Sequence, residues 1–126
     1  MTEMLQAELL YLHSADALDL EAFIPEDPDS FGLFLEAAIG IKGEVGQEIL
    51  GFMVCTPNWL RDVYMPREDE LCTFGHQFIF LKRYDYQLLW NIIKELCETT
   101  RSDKLEVIFE RLARYGRWSD IEDFHS

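Results

Sequence analysis

Three cysteines are the side chains in this sequence best suited to covalent chemistry: Cys55, Cys72 and Cys97. A thiol becomes a strong nucleophile when a base removes its proton, and His13 and His76 are the bases that Cys55 or Cys72 would need. Cys55, however, lies among apolar residues of a predicted strand, where cysteine is usually a small core residue. An odd number of cysteines without a C-x-x-C pair argues against a disulfide framework or a zinc ribbon and favours a reducing compartment.

Carboxylates are the second group that could do chemistry, as a general acid paired with a general base. Glu36 and Glu48 form one such pair, but a chain with 24 Asp and Glu residues contains many pairs by chance. The sequence lacks the motifs G-x-S-x-G, H-E-x-x-H, G-x-x-x-x-G-K-S/T and G-x-G-x-x-G, which build nucleophile, zinc and nucleotide sites. These missing motifs argue against an enzyme, although a hydrolase using Cys55 or paired carboxylates stays open.

A calcium-binding loop is the nearest match to a metal motif. Asp27, Asp29 and Gly32 occupy positions 1, 3 and 6 of such a loop. Position 5, however, is Phe31, and Ala38 stands where the loop needs a bidentate acid. We therefore expect no metal site.

A predicted β-hairpin is the central element of the chain, and it positions Glu36, Glu48 and Cys55 on its two strands. The segment Phe31–Ile41 alternates, with apolar side chains on one face of an extended strand, and Gln47–Cys55 is apolar on both faces, as in a central strand. Lys42–Gly46 carries two glycines, which tolerate the positive φ of a hairpin turn. Thr56 followed by Pro57 is typical of a helix start, because the hydroxyl caps the helix and proline suits its first turn.

Further strands and loops flank this hairpin. Met4–Leu12 is predicted as the first strand and Gly75–Arg83 as the fourth, from their alternating apolar side chains. Ser14–Phe23 shows no clean period, and the following IPEDPDS has two prolines and three acids, so we expect an exposed loop there. The helix that starts after the hairpin carries one apolar stripe as far as Tyr64 and ends before Pro66.

Two amphipathic helices are predicted near the end of the chain. Asp85 caps the first, over Tyr86–Glu98, and Ser102 caps the second, which stops near Gly116. Their apolar stripes should face the sheet: Leu89, Ile92, Ile93 and Leu96, then Leu105, Ile108, Phe109 and Leu112. The sequence therefore predicts an α+β fold: a mostly antiparallel sheet of about four strands, two longer C-terminal helices packed on it, and one short helix.

Size and charge limit the classes of partner. The 126 residues fit a single domain over positions 1–126. A formal charge of -13 would repel nucleic acid and anionic membranes, and it would attract a basic protein. The start of the chain lacks a basic n-region and no apolar run approaches the length of a membrane span, so we expect a cytoplasmic protein.

Three acidic clusters could form an interaction surface. They are Glu26, Asp27 and Asp29; Glu68, Asp69 and Glu70; and Asp120, Glu122 and Asp123. Such clusters are usually solvated loops, and they would bind a partner only with aromatic anchors nearby. Trp118, Trp59, Tyr64 and Phe124 are the candidate anchors, although Trp59 is equally well explained as a core residue.

Three stretches of this sequence resemble one family over nearly the whole chain. They are FIPEDPDSFGLFLEAAIGIKGEVGQEILGFMVCTPNWL, LKRYDYQLLWNII and ARYGRWSDIEDF. Their most specific features are the acidic proline loop, the glycine-rich hairpin, the turn from Cys55 to Leu60, and Tyr84-Asp85 before the long helix. Together they resemble the immunity protein 8 family of bacterial polymorphic toxin systems.

This resemblance implies a small cytoplasmic protein that is not an enzyme and needs no cofactor. Such a protein binds the C-terminal effector domain of a cognate toxin and neutralises it stoichiometrically. Contact-dependent growth inhibition is one setting for such proteins, and their toxins are often nucleases with basic clefts. The family has no fixed motif for the contact residues, so we predict them from charge and exposure alone. They are Glu26, Asp27, Asp29, Glu68, Asp69, Glu70, Trp118, Asp120, Glu122 and Asp123. The alternative is a small acidic adaptor or chaperone that binds another basic protein.

Overall fold

The computed structural model describes residues 3–69 and 77–119. Its strands are β1 (Leu5–His13), β2 (Gly32–Ile41), β3 (Glu48–Cys55), β4 (Phe78–Phe80), β5 (Arg101–Ser102) and β6 (Arg117–Trp118). Its helices are α1 (Pro57–Trp59), which continues as a π-helical turn over Leu60–Tyr64, then α2 (Tyr86–Thr99) and α3 (Leu105–Leu112). None of the helices within these residues is long and apolar enough to span a bilayer.

The predicted hairpin is confirmed as β2 and β3. The two strands pair antiparallel from Gly32 opposite Cys55 to Ile39 opposite Glu48. Their turn uses Gly43 at φ 84° and Gly46 at φ 114°, a backbone conformation that other residues rarely adopt. The hairpin forms the centre of a sheet with the order β4-β3-β2-β1-β5, and β6 pairs with β3 on the side where β4 lies.

The predicted fold class is wrong in its sheet and in its helices. The sheet is mixed, because β4 runs parallel to β3 while the other pairings are antiparallel. It has six strands in the described residues, and of the two C-terminal helices α2 has 14 residues and α3 only eight.

The prediction gave too few strands because several strands of this sheet are short. β5 and β6 have two residues each, too few to show an alternation of apolar side chains, and the predicted fourth strand shrinks to three residues.

Ser102 also belongs to β5 and is not the cap of α3. Its hydroxyl accepts a hydrogen bond from the amide of Lys104 at 3.1 Å, and Lys104 is the N-cap.

Both remaining helix starts match the prediction. The Thr56 hydroxyl accepts from the amide of Trp59 at 3.3 Å, and the Asp85 carboxylate accepts from the amide of Leu88 at 3.0 Å. Each cap satisfies an amide that lacks a partner in the first turn. Helix α2 then packs against β1 and buries one stripe of side chains in the core: Leu89, Ile93 and Cys97.

The two faces of the sheet differ in what covers them. The covered face packs against α2 and α3 and carries the main core: Leu33, Leu35, Ala37 and Ile39 of β2 with Leu50, Phe52 and Val54 of β3. We call the opposite side the open face. The register places on it Gly32, Phe34, Glu36 and Ala38 of β2, Ile49, Gly51, Met53 and Cys55 of β3, and Phe78 and Phe80 of β4.

Candidate functional site

Cys55 is not placed for nucleophilic chemistry. Its side chain is fully buried, and burial raises the pKa of its thiol to about 11. Cys97 is also buried, and its pKa rises to about 12 for the same reason, with a smaller contribution from the Glu98 charge. Because a thiol is reactive only as the thiolate, Cys55 has the properties of a core residue at neutral pH. Cys72 and His76 lie outside the described residues.

The paired carboxylates lie on opposite faces of the sheet. Glu36 lies opposite Gly51 and belongs to the open face, whereas Glu48 lies opposite Ile39, whose side chain is in the core. Two groups on opposite faces cannot act on one substrate as acid and base. Within residues 3–69 and 77–119, no group of three or more His, Cys, Asp or Glu side chains is arranged to hold a metal ion.

Glu26, Asp27 and Asp29 lie in an exposed turn that leads into β2. The amide of Asp29 donates to the Asp27 carboxylate at 2.9 Å, which shapes the turn. The next residues are tied to the end of β3, since Phe31 donates to the Thr56 hydroxyl at 3.2 Å and accepts from the Thr56 amide at 3.0 Å. These carboxylates are therefore held where β2 begins and β3 ends.

The negative charge is unevenly distributed along the chain. Residues 1–41 contain nine acidic residues and no Lys or Arg, so they carry -9 of the net -13. Six of the nine lie in the segment between β1 and β2: Asp16, Asp19, Glu21, Glu26, Asp27 and Asp29. Counting bases along the sequence would have revealed this asymmetry, which the search for acidic clusters missed. We call residues 14–31 the acidic loop.

The second predicted cluster is partly neutralised. Glu68 and Asp69 are exposed beyond the π-helical turn, but the Asp69 carboxylate pairs with Arg67 at 2.6 Å. Within the π-helical turn, Arg61 pairs with Asp62 at 2.7 Å, and the hydrogen bond from Arg61 lowers the pKa of the Asp62 carboxyl. Glu70 lies outside the described residues. This segment therefore offers less uncompensated charge than its sequence indicates.

Trp118 lies apart from the acidic loop. Its indole N–H donates to the carbonyl of Phe109 at 3.0 Å, and the two rings meet edge to face at 5.0 Å. In the sheet it pairs with Leu50, five residues before Cys55 on β3, which is roughly 17 Å along an extended strand. Its predicted neighbours Asp120, Glu122, Asp123 and Phe124 lie outside the described residues.

A continuous set of aromatic rings occupies the open face. Trp59 stacks on Tyr64 with centroids 6.2 Å apart, Tyr64 meets Phe78 at 5.3 Å, and Phe78 stacks on Phe80 at 5.5 Å. Phe34 lies on the same face on the other side of β3, with Met53 between it and Phe78. We call Phe34, Trp59, Tyr64, Phe78 and Phe80 the aromatic patch.

Much of this aromatic surface is in contact with solvent. Phe34 is 41% exposed, Tyr64 46% and Phe80 48%. The sequence indicated Trp59 and Tyr64 as possible anchors but placed the phenylalanines in strands, with no sign that α2 and α3 pack on the other face. The available signal was the position of Phe78 and Phe80, two residues apart on one side of a strand.

Comparison with known proteins gives one match. Residues 7–124, nearly the whole chain, match the model of a family described as Immunity protein 8. Searches of curated proteins and of solved structures found no match.

Proposed function

The chain belongs to the immunity protein 8 family, and from this membership we propose that it binds the C-terminal effector domain of a cognate toxin and neutralises it. Immunity proteins of this kind act in toxin-immunity systems. We further propose that the complex is stoichiometric, that it forms in the cytoplasm, and that contact-dependent growth inhibition is one setting for it. The family match is the observation that carries this proposal.

Charge supports a nuclease as the toxin. A nuclease needs a basic cleft for the phosphates of its substrate, and a protein of net charge -13 is complementary to such a cleft. The same charge speeds the encounter of the two proteins by electrostatic attraction. Exposed ion pairs contribute little affinity individually, so charge mainly supplies the rate and the selectivity of binding.

We propose that the contact residues include the acidic clusters and Trp118. The described members are Glu26, Asp27, Asp29, Glu68, Asp69 and Trp118, and the others are Glu70, Asp120, Glu122 and Asp123. Among these, the acidic loop is the strongest contributor, since its neighbours along the chain include no base. Asp69 is the weakest, because Arg67 already pairs with it.

The experiment is to isolate the native complex and to titrate it against salt. We expect a one-to-one complex with the effector domain of the toxin encoded beside this chain, and its affinity should fall steeply as salt rises. Weak capture of many basic proteins without a toxin would contradict the proposal and would favour an acidic adaptor.

Charge reversal tests where the carboxylates act. The double variant Glu26→Lys with Asp29→Lys leaves the Asp27 carboxylate, which shapes the turn, in place. We expect its toxin affinity to fall at least about tenfold and its salt dependence to weaken. The matched control, Glu95→Lys with Glu110→Lys, makes the same charge change at exposed positions of α2 and α3 and should lose much less. Equal losses in both variants would show a general charge effect and not a local contact.

A further inference from the structure

We infer that the aromatic patch on the open face is the centre of the toxin-binding surface, and that it receives Arg and Lys side chains from a basic protein surface. This inference rests on the proposed function and adds to it the location and the chemistry of the contact. It differs from the predicted acidic clusters, because it assigns most of the affinity to Phe34, Trp59, Tyr64, Phe78 and Phe80.

The first support is the continuity of the patch. Three ring-to-ring contacts of 5.3 to 6.2 Å join Trp59, Tyr64, Phe78 and Phe80 without a gap. Aromatic side chains at the centre of an interface supply most of the binding energy when they become fully desolvated. Tyr64 and Phe80 are each about half exposed, so both have surface left to bury against a partner.

The second support is that Trp59, Tyr64, Phe78 and Phe80, four of the five rings, are held in place. Gly32 lies directly beneath the Trp59 ring, since a Cβ at this position would be 2.3 Å from the indole Cε2. The Thr56 cap begins α1, and the amide of Met65 donates to Leu60 at 2.8 Å to close the π-helical turn that carries Tyr64. Phe78 and Phe80 are fixed by the pairing of β4 with β3. Rings that are already ordered lose little entropy on binding.

The third support is the charge around the patch, which identifies the occupant. The Asp16 carboxylate accepts from the amide of Phe34 at 2.8 Å, so Asp16 of the acidic loop borders the patch directly. Glu36 lies on the same face two residues further along β2. Arg117 lies opposite Gly51, and Lys82 and Arg83 follow β4, so these bases offset part of the local negative charge, whereas the whole chain carries a net charge of -13. Aromatic faces with carboxylates beside them favour cations, and above all the guanidinium of Arg.

The same charge excludes the other occupants of an aromatic surface. Two copies of this chain would bring together two molecules of net charge -13, and that repulsion opposes a dimer through this face. Nucleic acids, through their phosphates, and anionic membranes carry negative charge as well and are repelled in the same way. A basic protein is the partner that satisfies both the rings and the carboxylates.

The test measures binding of the effector domain encoded beside this chain to Tyr64→Ser, Phe80→Ser and the double variant. We expect the dissociation constant to rise at least about tenfold for each single variant and at least about a hundredfold for the pair. The salt dependence should stay at its wild-type value, because no charge is removed. Tyr64→Phe keeps the ring and should bind within about twofold of wild type.

Leu88→Ser and Leu105→Ser are matched controls on α2 and α3. Leu88 is 45% exposed and Leu105 is 42% exposed, which is close to the exposure of the test residues. Both variants should bind like wild type, and the thermal midpoint and circular dichroism of every variant establish that it is folded.

The outcomes separate the two proposals. If the wild-type protein binds the effector domain and the double variant binds it with the same affinity, the aromatic inference is overturned and the proposed function stands. Equal losses in the control variants overturn it too, since binding would then lie beside the helices. If the wild-type protein forms no complex, the proposed function fails and the inference fails with it.

Discussion

The two faces of the central hairpin are built from similar apolar residues, yet they differ in what they do. The covered face packs under α2 and α3, and its side chains are almost completely buried. The aromatic patch on the open face has five rings, three of them between 41% and 48% exposed. Apolar character therefore does not identify the core of this protein. The position of the helices decides which face contributes stability and which stays available to a partner.

Substitutions at two adjacent residues of β2 should give the largest difference in stability between the two faces. Leu35 is 0% exposed on the covered face and Phe34 is 41% exposed on the open face. We expect Leu35→Ala to lower the free energy of unfolding by about 3 kcal/mol, because it leaves a cavity in the core. Phe34→Ala should cost only about 1 kcal/mol, because much of its surface is already in water.

Urea denaturation of both variants measures this contrast. Toxin binding should show the reverse order, with Phe34→Ala the weaker binder of the two. A similar loss of stability in both variants would mean that the open face is as much a core as the covered one.

Glycines on either side of the sheet give a smaller contrast. A Cβ at Gly116 would lie 2.8 Å from Leu50 and 2.9 Å from the carbonyl of Gly51, and neither can move without disturbing the core. Gly116→Ala should therefore cost about 2 kcal/mol of stability.

Gly51 is the matched position on the open face. A Cβ there would lie 2.6 Å from the ring end of Phe34, and this partly exposed side chain can turn away. Gly51→Ala should change the free energy of unfolding by less than about 1 kcal/mol. The thermal midpoints of the two variants report the difference, and a larger loss for Gly51→Ala would contradict the contrast.

Cys55 combines features of both faces, and its ionisation has a small expected effect on stability. The register places it on the open face, but it is fully buried at the end of the sheet where Trp59 lies over Gly32. Burial raises its pKa from 9.0 to about 11, so the folded state holds the thiol proton more tightly than the unfolded state does. Its contribution to stability is complete below pH 9 and is lost as the pH rises towards 11.

We expect this loss to reach about 1 kcal/mol by pH 10. It is measured as the difference in pH dependence between wild type and Cys55→Ala in urea denaturation, because other titrating groups are common to both. The same comparison with Cys97→Ala should give a similar loss, since the pKa of Cys97 rises to about 12. Identical pH profiles for wild type and Cys55→Ala would show that Cys55 is open to solvent.

Local signals in the sequence predicted the parts of the fold that depend on local contacts. The hairpin, the Thr56 cap and the Asp85 cap each depend on a few neighbouring residues, and all three are confirmed. The parallel direction of β4 and the two-residue strands β5 and β6 depend on where distant segments meet, so no alternation of residues predicts them.

The candidate site divides in the same way. Exposure of the acidic turn was predictable from its prolines and carboxylates, which cannot be buried without partners. The aromatic patch was not, because Phe34 and Phe80 would be core residues if a helix covered the open face. Trp118 was predicted as an aromatic anchor near acidic residues, but its hydrogen bond to the Phe109 carbonyl follows from the pairing of β6 with β3, which no local pattern predicts.

Radical footprinting of the complex tests the central claim most directly, because it reads the solvent exposure of single side chains. In the complex with the effector domain, the modification rates of Tyr64 and Phe80 should fall at least about fivefold, as expected at the dry centre of an interface. The modification rates of Leu88 on α2 and Leu105 on α3 should stay as they are in the free protein. Protection of Leu88 and Leu105 with unchanged rates at Tyr64 and Phe80 would place the partner on the helical side and would contradict this account.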